Sequence, residues 1–87
     1  MSVYEPRVLV VEDDREMSRF LTELLAEAGC EVKAASDGLS ALELYQQTTF
    51  DLVITDLMMP RMKGTELVRR LKALDSHALI VLMWDRW

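Results

Sequence analysis

Two short, uninterrupted apolar runs that each end in acid constrain this chain more than any other feature. Val8-Leu9-Val10-Val11 runs into Glu12-Asp13-Asp14, and Leu52-Val53-Ile54-Thr55 runs into Asp56. A strand with one wet face alternates apolar and polar residues, whereas a continuous run belongs to a strand covered on both faces. Between such runs lie segments of helical period, so the expected architecture is α/β with a parallel sheet.

After the first run, Met17, Phe20, Leu21, Leu24, Leu25 and Ala28 follow the i, i+3, i+4 spacing of a helix with one buried stripe. Asp13 or Asp14 suits its N-cap, and Gly29 its C′ position. A second strand is expected near Glu31 to Ala35. Asp37-Gly38 then opens a helix carrying Leu39, Ala41, Leu42 and Tyr45, with Gln46 to Thr49 as its frayed end and loop. Leu52 to Thr55 is the third strand. Pro60 and Gly64 bracket a loop, and Leu67, Val68, Leu71 and Leu74 mark a third helix. Asp75-Ser76-His77 turns into a fourth strand from about Leu79 to Met83. The order is βαβαβαβ, a doubly wound parallel sheet in one domain over residues 1–87.

Composition narrows the function classes. A net charge of −5 argues against nucleic-acid binding, which needs clustered Lys and Arg. Cys30 is the only cysteine, so no intrachain disulfide forms. Neither a signal peptide nor a membrane span is legible, and the expectation is a cytoplasmic protein. His77 and the stretch Arg69, Arg70, Lys72 read as a solvated turn and a solvated helix face.

The chemistry sits at the strand ends. Open parallel sheets bind ligands outside the carboxyl ends of their strands, where strand order reverses. Right-handed winding makes the first and third strands neighbours, which brings Glu12, Asp13 and Asp56 to one edge. Carboxylates this close raise one another's pKa unless a cation compensates. Mg²⁺ fits best, since it takes oxygen ligands from one or two carboxylates and keeps waters for a phosphate to replace. A carboxylate beside such a metal can attack a phosphoryl group and form an acyl phosphate.

Val10-Val11-Glu12-Asp13-Asp14, with Asp51-Leu-Val-Ile-Thr-Asp56-Leu-Met-Met-Pro60-Arg-Met62-Lys-Gly64, resembles the receiver domain of two-component response regulators. The resemblance runs collinearly from Arg7 to about Leu82. It implies a flavodoxin-like fold, Asp56 as phosphoacceptor, and Glu12 and Asp13 as the acidic pair holding Mg²⁺. It implies too that Met58 contributes its backbone carbonyl to the metal, and that a sensor histidine kinase is the partner.

Two further receiver residues are missing from these 87 residues. A Ser or Thr should end the fourth strand, and Met83 stands there; a thioether is a poor replacement for a hydroxyl donor. A Lys should end a fifth strand, and the last helix–strand–helix has no counterpart, so the expectation is a C-terminally truncated receiver. Mg²⁺ binding should survive while phosphotransfer and signalling are impaired. The uncovered fourth strand should present Leu79, Val81, Met83, Trp84 and Trp87 as an interface, making a homodimer by edge pairing or C-terminal exchange. The alternative is a phosphate-independent interaction or dimerisation module. An enzyme is not expected: aspartyl-nucleophile phosphatases need a second Asp two residues after the first, and that position is Met58.

Overall fold

The computed structural model describes residues 4–84. Strands β1 (Arg7–Val11), β2 (Glu31–Ala35), β3 (Leu52–Asp56) and β4 (Ile80–Met83) alternate with helices α1 (Arg15–Glu27), α2 (Gly38–Gln47) and α3 (Gly64–Leu74). All strands are parallel, in the order β2-β1-β3-β4. This is the doubly wound architecture expected from the apolar runs, with β1 and β3 side by side at its centre.

Local chemistry explains where the elements begin and end. Asp14 is the N-cap of α1, its carboxylate accepting from the backbone N–H of Glu16 and Met17. The helix closes in a Schellman motif: Cys30 N–H donates to Leu25 O and Gly29 N–H to Ala26 O, with Gly29 at φ 96°. Asp37 caps α2 through the N–H of Ser40. That bond is the main reason the Asp37 carboxyl titrates below the ordinary carboxylate value.

Alternation sends the side chains of each strand to two faces. On one face, Leu9, Val11 and Val53 pack with Ala41 and Leu42 of α2 and Leu67 and Leu71 of α3 into the main core. Tyr45 borders this core, stacks on Phe50 and donates its hydroxyl to Asp75 at 2.8 Å. Burial, reinforced by that bond, pushes the Tyr45 phenol up to about 12.

Three expectations need correction. Helix α2 continues to Gln47 instead of fraying from Gln46, because its last turn is held by Thr48 N–H donating to Leu44 O. Leu79 precedes β4, which begins at Ile80. The apolar stripe of α1 is not buried: no residue of this helix is fully enclosed, and Phe20 and Leu24 are exposed by 60% and 52%. The physical reason is placement, since among the described residues α1 packs mainly against β2 and β1.

Candidate metal centre

The site forms where β1 and β3 end beside each other. Val11 pairs with Thr55, so the residues that follow, Glu12 and Asp56, emerge at the same level. Glu12 is 2% exposed and Asp56 1%, although both carry ionisable groups. Carboxylates are rarely enclosed this fully unless paired or coordinating a cation. Asp13 is half-buried beside them, and one carboxylate oxygen from each of Glu12, Asp13 and Asp56 lies within 4.8 Å of the others.

Backbone geometry fixes these side chains. Glu12 N–H donates to Ala35 O at 3.0 Å, tying the end of β1 to β2. The Glu12 carboxylate accepts from Asp14 N–H at 2.9 Å, and the Asp56 carboxylate accepts from Met58 N–H at 3.1 Å. The first bond lies at the head of α1 and the second in the loop after β3. Leu57 N–H donates to Met83 O and Gly64 N–H to Leu57 O, which hold that loop between β4 and α3.

Gly64 sits so tightly against this loop that a Cβ there would come within 2.5 Å of Asp56 O and 2.9 Å of Leu57 Cα. Only glycine permits this approach. Arg61, with φ 70°, reverses the loop, and Met62 N–H donates to Pro60 O at 2.8 Å. Met59 and Met62 are buried in the main core, and Met62 occupies the space a Cβ on Gly38 would need. These two methionines anchor the loop, a role not assigned from the sequence; their spacing of three residues was the available signal.

Glu12 and Asp13 also line an open cleft of about 530 Å³ with Arg15, Ser18 and Arg19 of α1 and Ser36 beyond β2. The donor set fits a small hard cation: carboxylate oxygens only, within 4.8 Å of one another, and open on one side to solvent. Of the residues expected at the site, the fold gathers Glu12, Asp13 and Asp56, with Met58 next to them through its backbone. Leu79, Val81 and Trp84 lie away from it along or beside β4, and Trp87 lies outside the described residues. Met83 reaches it only as the cross-strand partner of Asp56.

Comparison with known proteins agrees with this geometry. The family model for the response regulator receiver domain matches residues 8–84. This chain belongs to the response regulator receiver family. The receiver protein CpdR of Brucella abortus is 42% identical over 77 residues, covering 88% of this chain and 64% of that protein. The chain thus spans somewhat under two thirds of this relative's length. Among solved structures, the chemotaxis regulator CheY4 of Vibrio cholerae superposes with a TM-score of 0.86 at 32% identity, covering 91% of this receiver and 68% of CheY4. TrrA of Thermotoga maritima, solved with Mg²⁺ and BeF, gives 0.85 at 35% identity, covering 88% and 67%. TrrA has also been solved in complex with the histidine kinase ThkA. No helix among the described residues is long and apolar enough to cross a membrane.

Proposed function

We propose that these 87 residues act as one receiver unit in a two-component system, with Asp56 accepting a phosphoryl group from a sensor histidine kinase. The observation that carries this reading is the meeting of Asp56 with Glu12 and Asp13 at the ends of adjacent parallel strands. Glu12, Asp13 and Asp56 would hold Mg²⁺, with the Met58 carbonyl as a further oxygen. When bound, the ion supplies charge neutralisation for the transferring phosphoryl oxygens.

The chain's own residues do the rest. The Asp14 and Met58 N–H bonds keep the Glu12 and Asp56 carboxylates in place before any ligand arrives. An Asp56 carboxylate oxygen attacks the phosphorus of a phosphohistidine. The new O–P bond forms as the P–N bond breaks, and the electron pair leaves on the imidazole. The acyl phosphate then sits beside Met83, in register with Asp56, where the family carries a hydroxyl.

The three lysines lie as follows. Lys33 lies on β2, opposite Leu9, and the Lys72 ammonium bonds the carbonyls of Ser76 and Ala78 beyond α3. Lys63 is the N-cap residue of α3, its side chain making no capping bond. None of the three ends a strand beside Asp56. With Met83 rather than a hydroxyl donor in register with Asp56, the acyl phosphate should signal poorly, and the module acts in the cytoplasm with its kinase.

Incubation with phosphoramidate and Mg²⁺, read by intact mass, tests the reading. A gain of one phosphoryl group, lost in Asp56→Asn and without Mg²⁺, is expected. Failure to label at any donor concentration would favour a phosphate-independent interaction module.

A further inference from the structure

A buried contact ties the head of α2 to the loop that follows Asp56. Gly38 opens α2, and Met62 lies in the loop that leads into α3. A Cβ on Gly38 would come to 2.5 Å from Met62 Sδ and 3.1 Å from Met62 Cβ and Cγ. At a surface the sulfur would swing aside; here Gly38 is buried and Met62 is only 8% exposed within the main core. The notch left by the missing side chain is filled by the methionine, and a close-packed interior lets neither change alone.

The loop has few other anchors. Leu57 N–H is bonded to Met83 O and Gly64 N–H to Leu57 O. Between these two residues only Met59 and Met62 are buried, while Met58, Pro60, Arg61 and Lys63 are exposed. Arg61 holds φ 70°, a conformation that disfavours arginine and persists because its neighbours impose it. Asp37 adds a second tie between α2 and the loop. Its carboxyl is held low first by the bond from Ser40 N–H and in smaller part by the charge of Arg61. Residues 37 and 38 thus meet residues 61 and 62.

We infer that Gly38 and Met62 are positioning residues for the cation site, acting through the loop that carries Met58. Neither is a ligand. Gly38 sets how deeply Met62 is seated, and Met62 sets the path of the loop back to Met58, whose N–H holds the Asp56 carboxylate at 3.1 Å. The inference rests on the reading of Glu12, Asp13 and Asp56 as a Mg²⁺ site with the Met58 carbonyl as a further oxygen. It extends that site to α2, an element that supplies none of those oxygens. By linkage, Mg²⁺ must in turn favour the seated position of Met62.

The test is Mg²⁺ titration calorimetry on the 87-residue chain, together with amide shifts of the metal-free protein. Gly38→Ala displaces Met62, and Met62→Ala empties its seat; each should weaken Mg²⁺ binding about tenfold. The double substitution should weaken it no more than the stronger single one, because both break the same contact. In the metal-free variants the Met58 amide resonance should move, while that of Asp14, bonded to Glu12, should hold. Val8→Ala is the control, since Val8 is buried near the start of β1 and outside the cluster that holds Met62. It should lower thermal stability and leave Mg²⁺ affinity and both amides unchanged. If Gly38→Ala does not fold, Met62→Ala, which makes space instead of a clash, decides the matter. Folded variants that bind Mg²⁺ as tightly as the wild type would overturn the inference alone. So would a loss of affinity that Val8→Ala matches. A wild-type chain without saturable Mg²⁺ binding would overturn the cation reading and this inference with it.

Discussion

The two outer strands of the sheet, among the described residues, are built on opposite principles. At the β2 edge, Glu31 and Lys33 are charged and exposed, and Glu31 lies 3.7 Å from the Arg7 guanidinium. At the β4 edge, Ile80-Val81-Leu82-Met83 has no charge. Charge on an outer strand deters pairing with a further strand, and its absence leaves that pairing open. Both strands obey the same hydrogen-bonding rules, so the difference shows that edge character is written in the side chains. A similar contrast divides the faces among the described residues: α2 and α3 pack on one, and α1 packs mainly on β2 and β1.

The largest expected effects come from breaking the closed face. Leu71→Ala removes a fully buried side chain from the core between α3 and the sheet and should cost about 2–5 kcal/mol in urea unfolding. Leu79→Ala, at an exposed position just before β4, should cost about 0.5 kcal/mol or less. Equal costs would mean that the edge residue is as well packed as the core.

Cap removal sits between these. Asp14→Ala leaves the N–H groups of Glu16 and Met17 unbonded at the head of α1 and should destabilise by about 1 kcal/mol. Because Asp14 N–H also positions the Glu12 carboxylate through the main chain, the substitution should leave Mg²⁺ affinity nearly intact if the helix end stays ordered.

The smallest effects concern pH. Tyr45 has its folded pKa raised from 10.0 to about 12, so its contribution is complete below pH 10 and fades as pH rises from 10 toward 12. Asp75, its acceptor, has a lowered pKa, chiefly through the Tyr45 hydroxyl and then the His77 N–H. That contribution is present above the ordinary value of 3.8 and fades as pH falls below it. Tyr45→Phe should flatten the alkaline arm of stability against pH; an unchanged arm would mean that the Tyr45–Asp75 bond is not maintained in solution.

Much of this was legible from apolar runs and spacing. The two acid-ended runs gave the central strands, and right-handed winding sufficed to bring Glu12, Asp13 and Asp56 together. Pattern misled at α1, whose stripe has the right period but among the described residues packs mainly against β2 and β1; periodicity reports which side of a helix is apolar, not what lies opposite it. Close approach was equally invisible. The contact of Gly64 with the Asp56 carbonyl, and the seating of Met62 against Gly38, depend on how loops fold back onto strand ends.

For Asp56 to accept a phosphoryl group as proposed, the three strand-end carboxylates must act as one cation site. The most direct measurement is a Mg²⁺ titration followed by backbone amide shifts. Asp14 and Met58 N–H donate to the Glu12 and Asp56 carboxylates, so they should report any change in charge there. The prediction is saturable shifts centred on residues 12–14 and 56–58, abolished by Asp13→Asn or Asp56→Asn. Shifts that never saturate, or that spread over the acidic surface and survive both substitutions, would contradict it.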